Sequence, residues 1–259
     1  MSIKEVLKTL VKKLGVYHAV RYSKIYHRIL KHKNPSYIQD LDADLAFYRN
    51  TLGDSLGLVF DVGANHGDKA WAFAQIAKKV VCFEPDKTSF EALRARYGQV
   101  KSVSLESYAL GEKPGLGTFF VEEEGSAYNT LNKKERDWIV TELKKNIREV
   151  SVPISTLDIM IEKYGIPDFL KIDVEGGEVQ VFMGLNSFIP VICFEANLPR
   201  FRKETLRIID RFSNDNATRF NLRLNDDFLF STHKVAEEII SVLNKNEEVS
   251  YDIFIFSEK

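Results

Sequence analysis

The hydrophobic residues of this chain follow two different periodicities. Near the N-terminus, six apolar residues recur at helical spacing and predict an amphipathic helix; they are Ile3, Val6, Leu7, Leu10, Val11 and Leu14. From Leu58 onwards, short apolar runs alternate with longer amphipathic segments, a pattern typical of parallel strands joined by right-handed helical crossovers. We therefore predict an α/β domain over residues 51–259, preceded by a helical extension over residues 1–50.

The apolar runs after residue 57 predict the strands of the sheet. Five of them alternate with helical segments, as parallel strands do, and lie at 58–62, 80–84, 101–106, 169–173 and 191–195. Helices are predicted at 67–78, 87–97 and 177–185. An insertion at about 112–155 holds two more apolar runs, at 117–121 and 150–155, on either side of a polar helix at 132–148. Runs at 219–224 and 251–256, flanking a helix at 233–243, add an antiparallel pair and complete a mostly parallel sheet of seven strands.

A turn containing two glycines follows the first predicted strand. The strand ends in Asp61, and Gly63 and Gly67 allow the backbone to turn tightly and to approach a ligand. The second strand ends in Glu84, 23 positions after Asp61, close to the spacing of roughly 20 residues expected for an acid that binds ribose hydroxyls. These features predict a nucleoside-binding site at the carboxyl edge of the sheet.

The spacing of the glycines bears on which nucleoside binds. A dinucleotide fingerprint has three glycines around a pyrophosphate, whereas this turn has only Gly63 and Gly67 in register. Asp61 at the mouth of the turn repels a pyrophosphate and favours a cation. S-adenosylmethionine, with its ribose, amino group and sulfonium, therefore fits better than NAD. A nicotinamide-dependent oxidoreductase remains the alternative enzyme.

Composition narrows the possible partners. The net charge of −1 over 259 residues excludes a broad electrostatic footprint for nucleic acid, so no nucleic-acid partner is expected. No apolar run approaches the roughly 20 residues that cross a bilayer. Both cysteines, Cys82 and Cys193, fall in predicted strands without the spacing of a zinc site, which favours a reduced, cytoplasmic setting.

The charge is unevenly distributed along the chain. Residues 1–33 contain nine Lys or Arg against the single acid Glu5, so this segment carries +8 and the remainder −9. A basic amphipathic helix of this kind binds an anionic membrane surface or an acidic partner, or it packs on its own domain or on a second subunit of a homo-oligomer. These interpretations remain open. A docking module that binds cofactor without catalysis is the corresponding alternative function.

Acidic residues close several of the predicted strands, and the segment after the fourth parallel strand is rich in them. It contains Asp173 and Glu175, and it lacks both the Asp-Pro-Pro-Tyr-like tetrapeptide of enzymes that methylate base nitrogens and the cysteine of those that methylate carbon-5 of pyrimidines. Carboxylates there indicate removal of a proton from a hydroxyl. With Glu195 they also offer oxygen ligands for a divalent metal, but no spacing in the chain demands one, and none is predicted.

Five motifs, taken together and in this order, resemble the FkbM family of S-adenosylmethionine-dependent methyltransferases. They are Val-Phe-Asp-Val-Gly-Ala-Asn-x-Gly (59–67), Cys-Phe-Glu-Pro-Asp (82–86), Ser-Thr-Leu-Asp (155–158), Leu-Lys-Ile-Asp-Val-Glu-Gly-Gly-Glu (170–178) and Phe-Glu (194–195). The resemblance covers roughly residues 57–198 and implies a Rossmann-like class I methyltransferase fold. It also implies O-methylation of hydroxyls on sugars, glycans or polyketide-like natural products. His66 departs from the family, where a small or hydrophobic residue is expected.

The candidate site residues follow from these motifs. The expected cofactor-binding residues are Asp61, Gly63, Asn65, Gly67, Glu84, Pro85, Asp86, Ala109, Leu110 and Asp173. Glu175 is the first candidate for the general base, with Asp173 and His66 behind it. Glu175 as the cap of the following helix and His66 as a polar residue opening a helix are the competing interpretations. The segment 122–130 is interpreted as a lid near a hydroxyl acceptor.

Overall fold

The computed structural model of the protein describes residues 35–213, 217–246 and 250–258. The predicted helix at residues 3–14 and the basic segment 1–33 lie outside them. The described residues form eight helices: α1 (Pro35–Leu52), α2 (Asp68–Ile76), α3 (Lys87–Tyr97), α4 (Lys133–Thr141), α5 (Leu157–Tyr164), α6 (Glu178–Met183), α7 (Arg202–Ser213) and α8 (Ala236–Lys245). Within these residues, no helix combines the length and the apolar character needed to span a membrane.

Eleven strands are described, and they form two sheets. They are β1 (Leu56–Val62), β2 (Ala77–Phe83), β3 (Val103–Glu106), β4 (Ala109–Leu110), β5 (Gly115–Val121), β6 (Arg148–Ser155), β7 (Phe169–Ile172), β8 (Val191–Ala196), β9 (Arg219–Leu224), β10 (Asp227–Phe228) and β11 (Tyr251–Phe256). The large sheet has the order β10-β9-β11-β8-β7-β1-β2-β3, and the small one β4-β6-β5.

The large sheet is parallel in its centre and antiparallel at one edge. Strands β8, β7, β1, β2 and β3 run parallel, whereas β11 lies antiparallel between β8 and β9. The predicted α/β architecture with a late antiparallel pair is confirmed. The predicted number of seven strands is wrong, because β10 adds an eighth. This strand has two residues, paired to β9 across a tight turn at Asn225 (φ 58°), and two residues are too few to show a periodicity.

Alternating side chains on the central strands supply two hydrophobic cores. Phe60, Val62 and Ile172 face one layer of helices, to which α5, α6, α7 and α8 contribute apolar residues. Val59 and Phe169 face the other layer, formed by α1, α2 and α3. Because both faces of the parallel strands are buried, their sequences form continuous apolar runs rather than alternating ones.

Helix α1 packs into the second of these layers. Tyr48 is fully buried, and its ring centroid lies 4.8 Å from that of Phe73 on α2. Phe47 packs edge-on against Phe254 at 5.6 Å. The predicted division of the chain at about residue 50 remains a prediction; α1 runs across that position and contributes to the core of the sheet.

The insertion differs from its prediction in one helix. Strands β4, β5 and β6 form the small sheet, with a core of Ala109, Phe119, Val121 and Val152. Helix α4 ends at Thr141 instead of at residue 148. Lys144 adopts a left-handed φ of 53°, which ends the helical path, and Lys145 then pairs with Glu122 at 2.9 Å. The small sheet and α4 together face the carboxyl edge of the large sheet.

Candidate active site

A cavity of about 730 Å³ lies at the carboxyl ends of β1, β2 and β7. The strand order reverses between β1 and β7, and such a switch point is where open α/β sheets bind ligands. Eight of the sequence-predicted site residues line the cavity: Gly63, Asn65, Glu84, Pro85, Ala109, Leu110, Asp173 and Glu175. Four others, Asp61, His66, Gly67 and Asp86, do not line it.

The turn after β1 brings two strand ends into direct contact. Gly63 has φ 83°, and a Cβ atom there would lie 1.8 Å from the carbonyl oxygen of Asp173. The N–H of Asp173 in turn donates to the carbonyl of Val62 at 2.9 Å. A larger residue at Gly63 would force these two turns apart. The glycine therefore sets the floor of the cavity by allowing this close approach.

Glu84 is held by the backbone at the end of β2. Its carboxylate accepts the N–H of Asn65 and that of Asp86, each at 2.7 Å, and the residue is 6% exposed. Burial raises the pKa of Glu84 to about 8, although these N–H donors act in the opposite direction. Each carboxylate oxygen keeps acceptor capacity towards the cavity that the residue lines. Glu84 is therefore an oriented, buried acceptor beside the glycine turn.

Asp61 lies just behind the cavity wall. It is 2% exposed, and its Oδ2 atom has no hydrogen-bond partner in the described structure. Burial raises the pKa of Asp61 to about 7, although the positive charge of Lys171 lowers it. A buried polar atom without a partner costs free energy, so this oxygen favours a ligand or solvent that donates to it.

Three carboxylates gather on the opposite side of the cavity, and two of them, Asp173 and Glu175, line it. Asp173, Glu175 and Glu195 place one oxygen each within 4.8 Å of one another. Burial, and then the charges of Asp173 and Glu195, raise the pKa of Glu175 to about 9. The charge of Asp173, and then burial, raise the pKa of Glu195 to about 8. Like charges at this separation favour protonation or a bound cation.

Glu175 lies in a strained turn before α6. Its φ is 55°, which is uncommon for a residue with a side chain, and Gly176 follows with φ 90°. Gly177 is the N-cap of α6 and makes no side-chain cap bond. The N–H groups of Val174 and Gly176 instead donate to the carboxylate of Glu178. Glu178 thus stabilises the start of the helix, and Glu175 lines the cavity.

The remaining predicted residues sit around this site. Asp86 caps α3 by accepting the N–H of Ser89 at 2.8 Å. The phenolic hydroxyl of Tyr97 donates to the carbonyl of Gly67 at 2.6 Å. The imidazole of His66 lies beside the insertion, since a Cβ atom on Gly125 would be 3.1 Å from its Nε2. These three predicted residues shape the turn, the helix start and the contact with the insertion.

The insertion forms the outer wall of the cavity. Its lining residues include Thr118, Ser126, Ala127, Asn129, Leu131, Asn132 and Lys133. The Asn129 side chain donates to the carboxylate of Asp86 at 3.4 Å, and that of Thr130 to the carbonyl of Glu175 at 2.8 Å. The segment 122–130, interpreted from the sequence as a lid, is therefore tethered to both sides of the site.

Sequence reasoning missed several lining residues. Tyr108, which directly precedes the predicted pair Ala109 and Leu110, lines the cavity, as does Gln180 on α6. It placed Thr130 in the lid segment 122–130 without its contact to the turn, and it missed Asn132; both residues contact the turn of Glu175 and Gly176. The one available signal was Asn132 at the start of a polar helix, a position typical of an N-cap.

The chain matches one protein-family model and resembles several solved structures at low sequence identity. A family model described as the methyltransferase FkbM domain matches residues 61–231. A search of curated protein sequences found no match. The precorrin-6y C5,15-methyltransferase from Geobacter metallireducens GS-15 is 11% identical, with a TM-score of 0.44 over 84% of this chain and 86% of that one.

Two further solved structures resemble this chain at equally low sequence identity. The plantazolicin methyltransferase BpumL in complex with SAH is 10% identical, with a TM-score of 0.45 over 98% of this chain and 100% of that one. The precorrin 8W decarboxylase from Methanobacterium thermoautotrophicum is 12% identical, with a TM-score of 0.41 over 83% of this chain and 89% of that one. The family match, which spans the glycine turn, the acid cluster and the insertion, is the informative comparison.

Proposed function

Because the chain belongs to the FkbM family of methyltransferases, we propose that it transfers a methyl group to a hydroxyl of a sugar, a glycan precursor or a related natural product. The matched residues, 61–231, contain both the strand ends and the insertion that line the cavity. The family resemblance predicted from the motifs is thereby confirmed, and the nicotinamide-dependent alternative loses its support.

The family uses S-adenosylmethionine, and the described residues fit this cofactor. Asp61 has a buried carboxylate oxygen without a partner in the described structure, and Gly63, whose turn packs against Asp173, lines the cavity beside it. Glu84 would accept the ribose hydroxyls, and Asp61 or Asp173 the amino group, while Ala109 and Leu110 would flank the adenine. When bound, S-adenosylmethionine supplies an electrophilic methyl group on a positively charged sulfur.

The position of Glu175 is the observation that carries the proposal for a hydroxyl acceptor. Its side chain lines the cavity where the strand ends meet the insertion, and it lies within the acid cluster. A hydroxyl is a poor nucleophile until its proton is leaving, and Glu175 would accept that proton. Burial and the neighbouring acids raise the pKa of Glu175 to about 9, whereas a bound cation would lower it again and favour the ionised form that accepts a proton.

Carbon methylation through a cysteine thiolate has no nucleophile in this cavity. The chain has only two cysteines, Cys82 and Cys193, and both are buried in strands of the large sheet and absent from the cavity lining. The cavity does contain carboxylates, and Glu175 is the one proposed to activate an acceptor hydroxyl.

The outer part of the cavity supports a carbohydrate-like acceptor. Its lining combines hydroxyl and amide side chains, such as Thr118, Asn132 and Gln180, with the apolar residues Leu131 and Ile154. Hydrogen-bonding groups around apolar faces are what a polyhydroxylated ring requires, because it presents both hydroxyls and C–H surfaces. The acceptor would therefore bind between the small sheet and α6, next to Glu175.

Transfer of labelled methyl from S-adenosylmethionine tests this proposal. We expect the purified protein to label nucleotide sugars, lipid-linked glycans or free glycans in a fractionated extract of cells that lack the gene. The label should survive mild alkali, because an O-methyl ether resists it, whereas a methyl ester releases methanol. Label confined to RNA, to protein or to an alkali-labile ester would overturn the acceptor class and leave the family assignment intact.

A matched pair of variants tests the role of Glu175. Glu175→Gln keeps the size of the side chain and should reduce transfer by roughly 10²–10⁴-fold, the contribution typical of a positioned base. Its affinity for S-adenosylhomocysteine should stay within about threefold of the original, less than 1 kcal/mol. Glu91→Gln, on the exposed part of α3, serves as the control that removes a carboxylate elsewhere. A Glu175→Gln variant with full transfer would remove this residue from the mechanism.

A further inference from the structure

Two side chains of the insertion bind consecutive carbonyls in the turn that carries Glu175. The hydroxyl of Thr130 donates to the carbonyl of Glu175 at 2.8 Å, and the side-chain amide of Asn132 donates to the carbonyl of Gly176. Both accepting residues have positive φ, 55° and 90°. The contact thus falls on the strained part of the turn, far from the insertion in sequence.

The direction of the Thr130 hydrogen bond is fixed by its neighbours. The Thr130 hydroxyl accepts the N–H of Asn132 at 2.9 Å, so its single proton points to the carbonyl of Glu175. The backbone of Thr130 pairs with that of Phe120 on β5 in both directions, at 2.8 and 3.0 Å. Thr130 has no exposed surface. A buried hydroxyl is therefore held by the small sheet and directed at one atom of the turn.

The opposite side of the turn is closed by an aromatic ring. A Cβ atom on Gly176 would lie 2.2 Å from the ring of Phe201. The turn is thus enclosed between Phe201 and the insertion. A glutamate in the left-handed region costs free energy and persists only where its surroundings determine it. Here these contacts act together with the carboxylate of Glu178, which accepts the N–H groups of Val174 and Gly176.

We propose that Thr130 and Asn132 are positioning residues, which hold the backbone of Glu175 in its left-handed conformation and so direct its carboxyl group into the cavity. The inference rests on the proposed function in one respect, the role of Glu175 as base. It adds that the insertion is part of the catalytic apparatus as well as a wall for the acceptor. The chemistry then depends on residues 45 and 44 positions earlier in the chain, which touch the base only through its backbone.

The substitution Thr130→Val tests this positioning role. Valine keeps the shape of the side chain and removes the hydroxyl, so the carbonyl of Glu175 loses its donor. We expect hydrogen–deuterium exchange in peptides covering residues 174–178 to become faster. Transfer to the extract fraction that the original protein labels should fall roughly 10- to 100-fold, because a displacement of the order of 1 Å can cost about 10²-fold. Thr130→Ser, which keeps the hydroxyl, should restore both.

A buried threonine elsewhere provides the matched control. The hydroxyl of Thr218 is also buried and hydrogen-bonded, to the hydroxyl of Ser257 at 3.3 Å, and the residue is 5% exposed. Thr218→Val removes a buried hydrogen bond at the opposite edge of the large sheet, away from the turn. It should leave the exchange of residues 174–178 and the transfer rate unchanged. Binding of S-adenosylhomocysteine, measured by calorimetry, should stay within about threefold in all three variants.

Asn132→Ser gives a second, independent variant if Thr130→Val does not fold. Asn132 also caps α4, by accepting the N–H of Lys134 at 2.8 Å, and serine keeps that capping oxygen while losing the donor to Gly176. If both variants exchange and transfer as the control does, the positioning role is refuted. If exchange rises while Glu175→Gln transfers normally, the tether is real and the proposed base is wrong. The two failures are therefore distinguishable.

Discussion

Two groups of buried charges lie side by side in this molecule, and they differ in whether each charge has a partner. In the acid cluster at the cavity edge, Glu175 and Glu195 lie close to Asp173, and the pKa values of both glutamates are raised well above the ordinary value. Beneath it, an ion-pair chain runs through the core with alternating sign: Asp173, Lys171, Asp252, Arg223, Asp44 and Lys69.

The ion-pair chain shows how a partner of opposite charge changes the pKa of a buried acid or base. Burial alone would raise the pKa of Asp252, but Lys171 and Lys69 lower it overall. Burial would likewise lower the pKa of Lys171, yet Asp173 and Asp252 raise it well above the usual value. The charged residues of the ion-pair chain neutralise one another, and their contacts link β7, β11, β9, α1 and α2. Among the described residues, Glu175 and Glu195 have no such ion-pair partner, so they are suited to receive a cation from a ligand.

Removal of the central cation should have the largest effect. Lys171 is 1% exposed and lies 3.4 Å from Asp173 and 3.1 Å from Asp252. Lys171→Met keeps the length of the side chain but leaves the two carboxylates without their shared partner. We expect the free energy of unfolding in urea at pH 7.5 to fall by about 3–5 kcal/mol, the cost typical of breaking a buried ion pair.

A lysine in a more exposed ion pair provides a comparison for Lys171→Met. Lys163→Met removes a lysine of the same type that is half exposed, and its partner Glu106 also accepts the hydroxyl of Tyr164. Its cost should be about 1 kcal/mol or less. If both variants lose the same free energy of unfolding, the burial of Lys171 does not determine how much its ion pairs stabilise the protein.

The unpaired acids predict a pH-dependent affinity for the cofactor. The free protein has raised pKa values at Asp61, Glu84, Glu195 and Glu175, between about 7 and about 9. A cation binds the ionised form better, so the affinity for S-adenosylmethionine should rise by about tenfold between pH 6 and pH 9, about 1.4 kcal/mol in calorimetry.

S-adenosylhomocysteine is the control for this measurement, because it has the same amino group and ribose but no sulfonium. Its affinity should change less over the same pH range. Parallel curves for the two ligands would show that the sulfonium does not interact with the acid cluster, and the comparison between paired and unpaired acids would then lose its functional meaning.

The repeating parts of the fold could be predicted from the sequence, because they depend on local periodicity. The runs that contain Phe60, Val81 and Leu170 are continuous and apolar, as buried parallel strands require. The two-residue strand β10 and the helices α5 and α7 were not predicted. Helix α5 has only eight residues and starts at the cap Thr156, directly after β6, so its apolar residues continue the preceding apolar run.

The site was predictable where its residues follow strand ends, since topology brings the carboxyl ends of parallel strands together. Glu84, Asp173 and Glu175 come from such positions, and all three line the cavity. The contacts of Thr130 and Asn132 depend on how the insertion folds back over 45 residues of chain. No periodicity encodes that approach, so tertiary geometry alone reveals it.

Neutralisation of one cavity acid should stabilise the free protein at high pH. The pKa of Glu175 is about 9 in the folded chain, above the roughly 4.3 of an unfolded glutamate. A group of this kind contributes stability that is full below pH 4 and is lost as pH rises through 9. At pH 9, the free energy of unfolding of Glu175→Gln in urea should therefore exceed that of the original protein by about 1 kcal/mol. The difference should be smaller at pH 5.

Urea unfolding of Glu175→Gln at several pH values shows whether the carboxyl group of Glu175 is unpaired in the free protein. Glu162→Gln, on the exposed side of α5, is the control that removes a carboxyl group elsewhere. If Glu175→Gln destabilises the protein equally at pH 5 and pH 9, the carboxyl group of Glu175 is paired in the free protein, and the contrast with the ion-pair chain disappears.

The smallest effect should occur at the outer end of the ion-pair chain. Lys69 lies 2.6 Å from Asp44, but its side chain is 35% exposed, and Asp44 keeps Arg223 at 2.7 Å when the lysine is removed. Lys69→Met should therefore lower the free energy of unfolding by about 1 kcal/mol or less, within the range of exposed pairs. Together with Lys171→Met, urea unfolding of this variant measures how the contribution of one chain of ion pairs changes with depth. A loss at Lys69 as large as that at Lys171 would mean that the chain acts as a single cooperative unit, in which an exposed charge matters as much as a buried one.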